Sequence, residues 1–142
     1  MTIHVLVACS KSKSHAAPED LTWREGVSLE SWRSSWEEAN RPRYEAMDLY
    51  SGRATRRQLQ LSSDDPNSVP YLISAGAGLV RVSDGIKIPS YESTFGKGGP
   101  SFEDWHLLPH GGLSNLELAD GDMVLAFAPP SYLRAISRDP GL

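Results

Sequence analysis

Three apolar runs punctuate the chain, and each empties into a polar or glycine-bearing turn. They are residues 2–9 (TIHVLVAC), 69–75 (VPYLISA) and 122–128 (DMVLAFA). All are of strand length, rich in β-branched residues and nearly free of polar alternation, as expected of strands buried on both faces. Between them the spacing changes. Ser28 is placed to cap a helix over 28–40 with Leu29, Trp32 and Trp36 on one stripe, ended by Arg41-Pro42. Further helices are predicted over 44–50 and 52–61, followed by the turn cluster Ser62-Ser63-Asp64-Asp65-Pro66-Asn67-Ser68. Residues 80–99 read mostly as loop, anchored by Ile86, Ile88 and Tyr91. Ser101-Phe102-Glu103-Asp104 resembles a capping box for a short helix to Leu108, and Pro129-Pro130 opens a last helix over 131–138.

Strand, loop and helix thus succeed one another three times. That pattern predicts an α/β fold with an open, mostly parallel central sheet flanked by helices. Three strands are few, so a fourth is expected within 80–99 or 112–119. In such sheets ligands gather outside the carboxyl ends of the strands, here residues 9–13, 75–79 and 128–131.

At 142 residues the chain is of single-domain size. The stop after Pro140-Gly141-Leu142 suggests a truncated C-terminus or an edge borrowed from a partner. One cysteine rules out an intrachain disulfide and a Cys-rich zinc site. No spacing matches a metal-ligand motif, a serine-hydrolase elbow or a P-loop, so no metal and no cofactor is expected. The chain contains no apolar run of the roughly 20 residues that cross a bilayer and no signal-peptide pattern, so the expected address is the cytoplasm, with no membrane partner.

The net charge of −4 disfavours a protein that coats nucleic acid through overall basicity. A local basic patch is still available: Arg41, Arg43, Arg53, Arg56 and Arg57, with Lys11 and Lys13. The competing reading is a solvated helix face.

The chemistry concentrates in two turns. Cys9-Ser10-Lys11-Ser12-Lys13 offers amides, hydroxyls and two ammonium groups after a strand, an inventory suited to phosphate or carboxylate. Ser74-Ala75-Gly76-Ala77-Gly78-Leu79 follows another strand. Its two glycines let the backbone approach a ligand or a neighbouring strand closely, and Arg81 could add a bidentate anion contact. A phosphatase loop is excluded because His15 stands where its arginine would be. Cys9 therefore reads first as a small strand-end residue, and a redox or phosphate-transfer role is the weaker option. For acid–base work the candidates are Asp84, Glu92, Asp104 and His106, of which Asp84 and Glu92 lie in the long loop where function often sits. His4, on a strand, reads as a packed residue.

The order of segments resembles the YaaA (peroxide stress protein) group and allied small proteins. It runs from the Cys-x-Lys-x-Lys loop to Asp48-Leu49-Tyr50, then Ser74-Ala75-Gly76-Ala77-Gly78-Leu79, then Ile88-Pro89-Ser90-Tyr91-Glu92-Ser93-Thr94, and finally an apolar strand into Ser131-Tyr132-Leu133. The likeness spans about residues 3–137. Three departures are Ala77, where the group carries a lysine or tyrosine, Ser90, which splits a Pro-Tyr pair, and residues 14–44, which form a helical insertion relative to the shorter relatives. The resemblance implies a uracil-DNA-glycosylase-like fold, a DNA or modified-base context, and a shared site of Cys9, Ser10, Lys11, Lys13, Tyr50, Ser74, Gly76, Gly78, Leu79, Pro89 and Tyr91.

Together these readings lead to the expectation of a nucleotide or nucleic-acid-base recognition domain with N-glycosidase-type hydrolysis as its reaction class. Lys11, Lys13 and Arg81 would hold phosphate, Tyr50 or Tyr91 would stack on the base, and Asp84 or Glu92 would orient water. The alternative is a non-catalytic interaction subunit, docking a protein partner or a second copy through the Trp32/Trp36 helix.

Overall fold

The computed structural model describes residues 1–82 and 85–141. In chain order the elements are β1 (Ile3–Ala8), α1 (Leu29–Trp36), β2 (Tyr44–Glu45), α2 (Ala46–Leu49), α3 (Arg53–Asp64), β3 (Ser68–Ser74), β4 (Gly78–Arg81), β5 (Lys87–Ile88), β6 (Met123–Phe127) and α4 (Pro130–Ser137). Short 3₁₀ turns cover Glu19–Leu21, Phe102–Leu107 and Leu113–Asn115.

Four strands form one sheet in the order β4-β3-β1-β6, while β2 and β5 pair as a separate two-stranded ribbon. β1 pairs in parallel with both β3 and β6. Its central place explains the apolar run Val5 to Ala8, with Leu6 and Val7 almost wholly covered. Each such side chain contributes about 1.5–3 kcal/mol by leaving water. The sheet is therefore α/β and mostly parallel, as the succession of runs predicts.

β4 is the fourth strand; it enters the expected window 80–99 only at Val80 and Arg81, and apart from β5 the other described residues of that window are loop, as read. It turns back at Gly76-Ala77 and runs antiparallel to β3, pairing Tyr71 with Arg81 and Ser74 with Gly78. Residues 71–80 are buried throughout, so the segment is a tight strand reversal inside the core. Gly78 makes the reversal possible. Its φ is +100°, and a Cβ there would lie 2.2 Å from the Gly111 carbonyl oxygen.

α1 begins at a reciprocal cap in which Ser28 Oγ accepts from the Ser31 N–H and Ser31 Oγ accepts from the Ser28 N–H, each at 3.1 Å. It stops at Trp36, short of the expected Asn40, where the Arg43 guanidinium donates to the freed Trp36 carbonyl at 2.5 Å. The predicted helix over 44–50 is split into β2 and the single turn α2. α3 buries Thr55, Leu59 and Ser62, one stripe at helical spacing, against β1 and β3. The expected capping box at Ser101 does not form, because the turn that follows is 3₁₀ and Ser101 makes no side-chain cap bond.

The segment 14–44 is built into the core. Leu21, Trp32 and Trp36 are buried with the sheet residues. Trp32 is 1% exposed and its indole N–H donates to the Gly76 carbonyl at 2.8 Å. The Trp32/Trp36 face is thus spent on this chain's own interior, and it does not supply the docking surface proposed for it. Apolar exposure lies elsewhere, on the edge strand β6, where Met123, Val124, Leu125 and Phe127 are all more than a third exposed. Among the described residues no helix is long and apolar enough to cross a membrane.

Candidate ligand site at the carboxyl rim of the sheet

β1 delivers Cys9 to the rim, where its N–H continues the ladder to the Ile73 carbonyl at 3.0 Å. The chain then passes beside α2. Lys13 and Tyr50 form an antiparallel bridge, and the Ser14 N–H donates to the Leu49 carbonyl at 2.8 Å. Gly52 lies so close that a Cβ there would meet Ser10 Oγ at 2.4 Å. This anchoring holds a polar five-residue turn in one place.

Beneath the turn lies a buried hydroxyl cluster. Ser74 Oγ accepts the N–H groups of Gly76 (3.2 Å) and Ala77 (2.9 Å). Both of its lone pairs are then occupied, so its hydrogen goes to Tyr91 Oη, with which it is bonded. Tyr91 Oη also bonds Tyr50 Oη and donates toward Cys9 Sγ at 3.7 Å, and Tyr132 Oη reaches the same sulfur at 3.6 Å. Burial, first of all, pushes the Tyr50 and Tyr91 phenols well above their ordinary range, so both remain neutral donors. Burial also raises the Tyr132 phenol, with the Cys9 sulfur adding to the effect.

Lys13 lies over this cluster, its Nζ 4.5 Å from the Tyr91 ring centre and 5.7 Å from that of Tyr50. Burial lowers its pKa below the ordinary 10.5, and attraction to Cys9 and Glu92 partly offsets that. Glu92 is fixed from the opposite side, where its N–H donates to the Leu21 carbonyl and its carbonyl accepts from the Trp23 N–H, both at 2.8 Å.

Two adjoining hollows open here. One, of about 220 Å³, is lined by Lys11, Lys13, Thr22, Trp23, Glu92 and neighbours up to Gly98. The other, of about 330 Å³, is lined by Lys11, Lys13, His15, Tyr91 and Glu92 with Ala16 and Ala17. Lys11, Lys13 and Glu92 belong to both, so two cations and one carboxylate form the divide between them.

The expected site residues therefore sort by depth. Lys11, Lys13, Glu92 and Tyr91 reach the hollows, and Cys9 and Ser10 stand beside them at intermediate exposure. Tyr50, Ser74, Gly76 and Gly78 are buried below. Both glycines serve the protein's own packing: a Cβ on Gly76 would lie 2.4 Å from the Tyr91 ring. Tyr50 and Tyr91, 0% and 1% exposed, have no face free to stack on a base. Arg81 is carried away by β4 to the other end of the sheet and lines a different cavity. Asp84 lies outside the described residues. Of the arginine patch, Arg41 is held bidentate by Asp20 and Arg43 by the Trp36 carbonyl, which leaves Arg53, Arg56 and Arg57 exposed on α3. Trp23, which joins the wall of the first hollow, was not singled out in sequence, since a half-buried tryptophan in irregular chain carries no periodic signal.

Comparison of the chain with protein-family models, with curated proteins and with solved structures gives no match. The class that the geometry defines is an α/β protein with a cationic, carboxylate-bearing site at the carboxyl rim of its sheet.

Proposed function

We propose that the rim binds a nucleotide, its phosphate between Lys11 and Lys13 and its base against the Trp23 indole. In this reading the sheet is a variant of the uracil-DNA-glycosylase-like fold, in keeping with the motif order shared with the YaaA group. The observation that carries it is the shared divide: Lys11, Lys13 and Glu92 line both hollows at the carboxyl end of a parallel sheet, where ligands of such folds collect. Two ammonium groups suit a phosphate, and an aromatic wall suits a base.

Glu92 supplies the reaction. Its carboxylate orients a water toward the anomeric carbon as the N-glycosidic bond breaks and stabilises the oxocarbenium-like charge that develops there. The sugar gains the water hydroxyl, and the base leaves with the proton. The test is release of free base from nucleotides and from single-stranded DNA carrying modified bases, followed by chromatography. Release by the native protein, lost by about a hundredfold or more in Glu92→Gln while nucleotide binding persists, supports the reaction. Binding without release from any substrate leaves a recognition domain and removes the hydrolase. Absence of both removes the proposal.

A further inference from the structure

A separate cavity, of about 470 Å³, lies away from the rim over the amino-terminal half of the sheet. The strand register builds its floor. Leu6 pairs with Tyr71 and Tyr71 with Arg81, so His4, Tyr71 and Arg81 share one face. The segment carrying His110, Asn115, Glu117 and Asp122 closes over them.

The floor is a relay of three side chains. His4 Nε2 is 3.1 Å from Asp122 Oδ2, and His4 Nδ1 is 3.1 Å from Tyr71 Oη. Asp122 also accepts the N–H groups of Thr2 at 2.9 Å and Ala119 at 3.1 Å. These bonds, the backbone ones foremost, hold its carboxyl at about 2, so it is an anion that only accepts. His4 Nε2 must therefore carry a proton. His4 Nδ1 shares the other bond with the Tyr71 hydroxyl, which engages at most one of the two lone pairs on the Tyr71 oxygen. Tyr71 therefore keeps a lone pair with which to accept from a ligand in the cavity it lines. A packed histidine needs its two partners but no hollow above them, and here a hollow is present.

The remaining lining sets the ligand. Val69, Leu79 and Ile86 make apolar walls. Arg81 and Glu117 are both exposed and of opposite sign. Arg81 has no ion-pair partner among the described residues.

We infer that this cavity binds a small apolar amino acid as its zwitterion, the carboxylate on Arg81 and the ammonium donating to Tyr71 Oη and Glu117. A guanidinium matches a carboxylate in bidentate fashion, an ammonium has donors only, and the aliphatic walls take the side chain. The site is independent of the rim and of its proposed chemistry.

The experiment titrates the full chain by calorimetry with L-leucine, with 4-methylpentanoate, which lacks the ammonium, and with 3-methylbutylamine, which lacks the carboxylate. Leucine is expected to bind at least about tenfold more tightly than either analogue, since each charged contact is worth roughly that factor. Arg81→Gln should bring leucine down to the amine and Glu117→Gln down to the carboxylate. Both side chains are exposed, and circular dichroism verifies that these variants remain folded. Lys11→Ala should leave leucine binding unchanged, which separates this site from the rim. No binding of leucine, analogues equal to leucine, or an unaltered affinity in Arg81→Gln would each overturn the inference.

Discussion

The two ends of the sheet carry polar chemistry in opposite ways. At the carboxyl rim the charges come from one contiguous turn, Cys9 to Lys13, joined by Glu92 from a single crossing segment, and a buried floor of Tyr50, Ser74 and Tyr91 hydroxyls holds them up. At the amino-terminal half the cavity takes His4, Tyr71, Arg81, Glu117 and Asp122 from four separate places in the chain. The first is a loop held by packing. The second is created by register, because only the pairing of β1, β3 and β4 brings its floor together. Polar groups grouped in sequence can be read from sequence. Groups assembled by pairing cannot.

The strongest way to break the comparison is to remove the rim's aromatic support. Trp32→Ala deletes a fully buried indole and its hydrogen bond to the Gly76 carbonyl. A loss of about 3–5 kcal/mol is expected in urea unfolding. A loss under about 1 kcal/mol would mean that the 14–44 segment is not part of the rim's foundation.

Gly78→Ala strikes the joint between the two regions, since the new Cβ would press on the Gly111 carbonyl from a left-handed backbone. The expected cost is about 3 kcal/mol, again from urea midpoints, with His110 and its neighbours displaced from β4.

A smaller effect isolates the amino-terminal end. Asp122 titrates lower in the folded chain than unfolded, at about 2 against 3.8. Its stabilising contribution is therefore complete above the ordinary carboxylate range and is lost as the pH falls from about 4 through about 2. The melting temperature of the native protein should fall in that window more steeply than that of Asp122→Asn. Parallel curves would contradict the bonding described for this carboxylate.

Most of the fold was legible in the sequence. β1, β3 and β6 fall within two residues of their apolar runs, and the Ser28 cap forms as read. The reversal into β4 was missed because Gly76-Ala77-Gly78 has the composition of a ligand loop, and only burial against Tyr91 and Gly111 reveals it as a packed turn. The same error moved Arg81 to the wrong end of the sheet. That Lys11 and Lys13 line one rim was legible because a polar turn after a buried strand has few structural uses, whereas Glu92 joins them there from the distant loop after β5. Tyr50 and Ser74 were grouped with them and lie buried beneath the turn, a distinction of depth that no linear pattern contains. His4 read as a packing residue because its partners, Tyr71 and Asp122, are 67 and 118 positions away.

The central claim, that the rim is a phosphate-dependent nucleotide site, is tested most directly by calorimetric titration of a nucleoside monophosphate and the matching nucleoside into the native protein and Lys13→Arg. Only the phosphorylated ligand is expected to bind well. Its affinity should fall as the pH rises through the lowered pKa of Lys13, below 10.5, since the anion needs the charged ammonium, and Lys13→Arg should flatten that fall. Equal binding of nucleoside and nucleotide, or binding that ignores Lys13 at every pH, would contradict it.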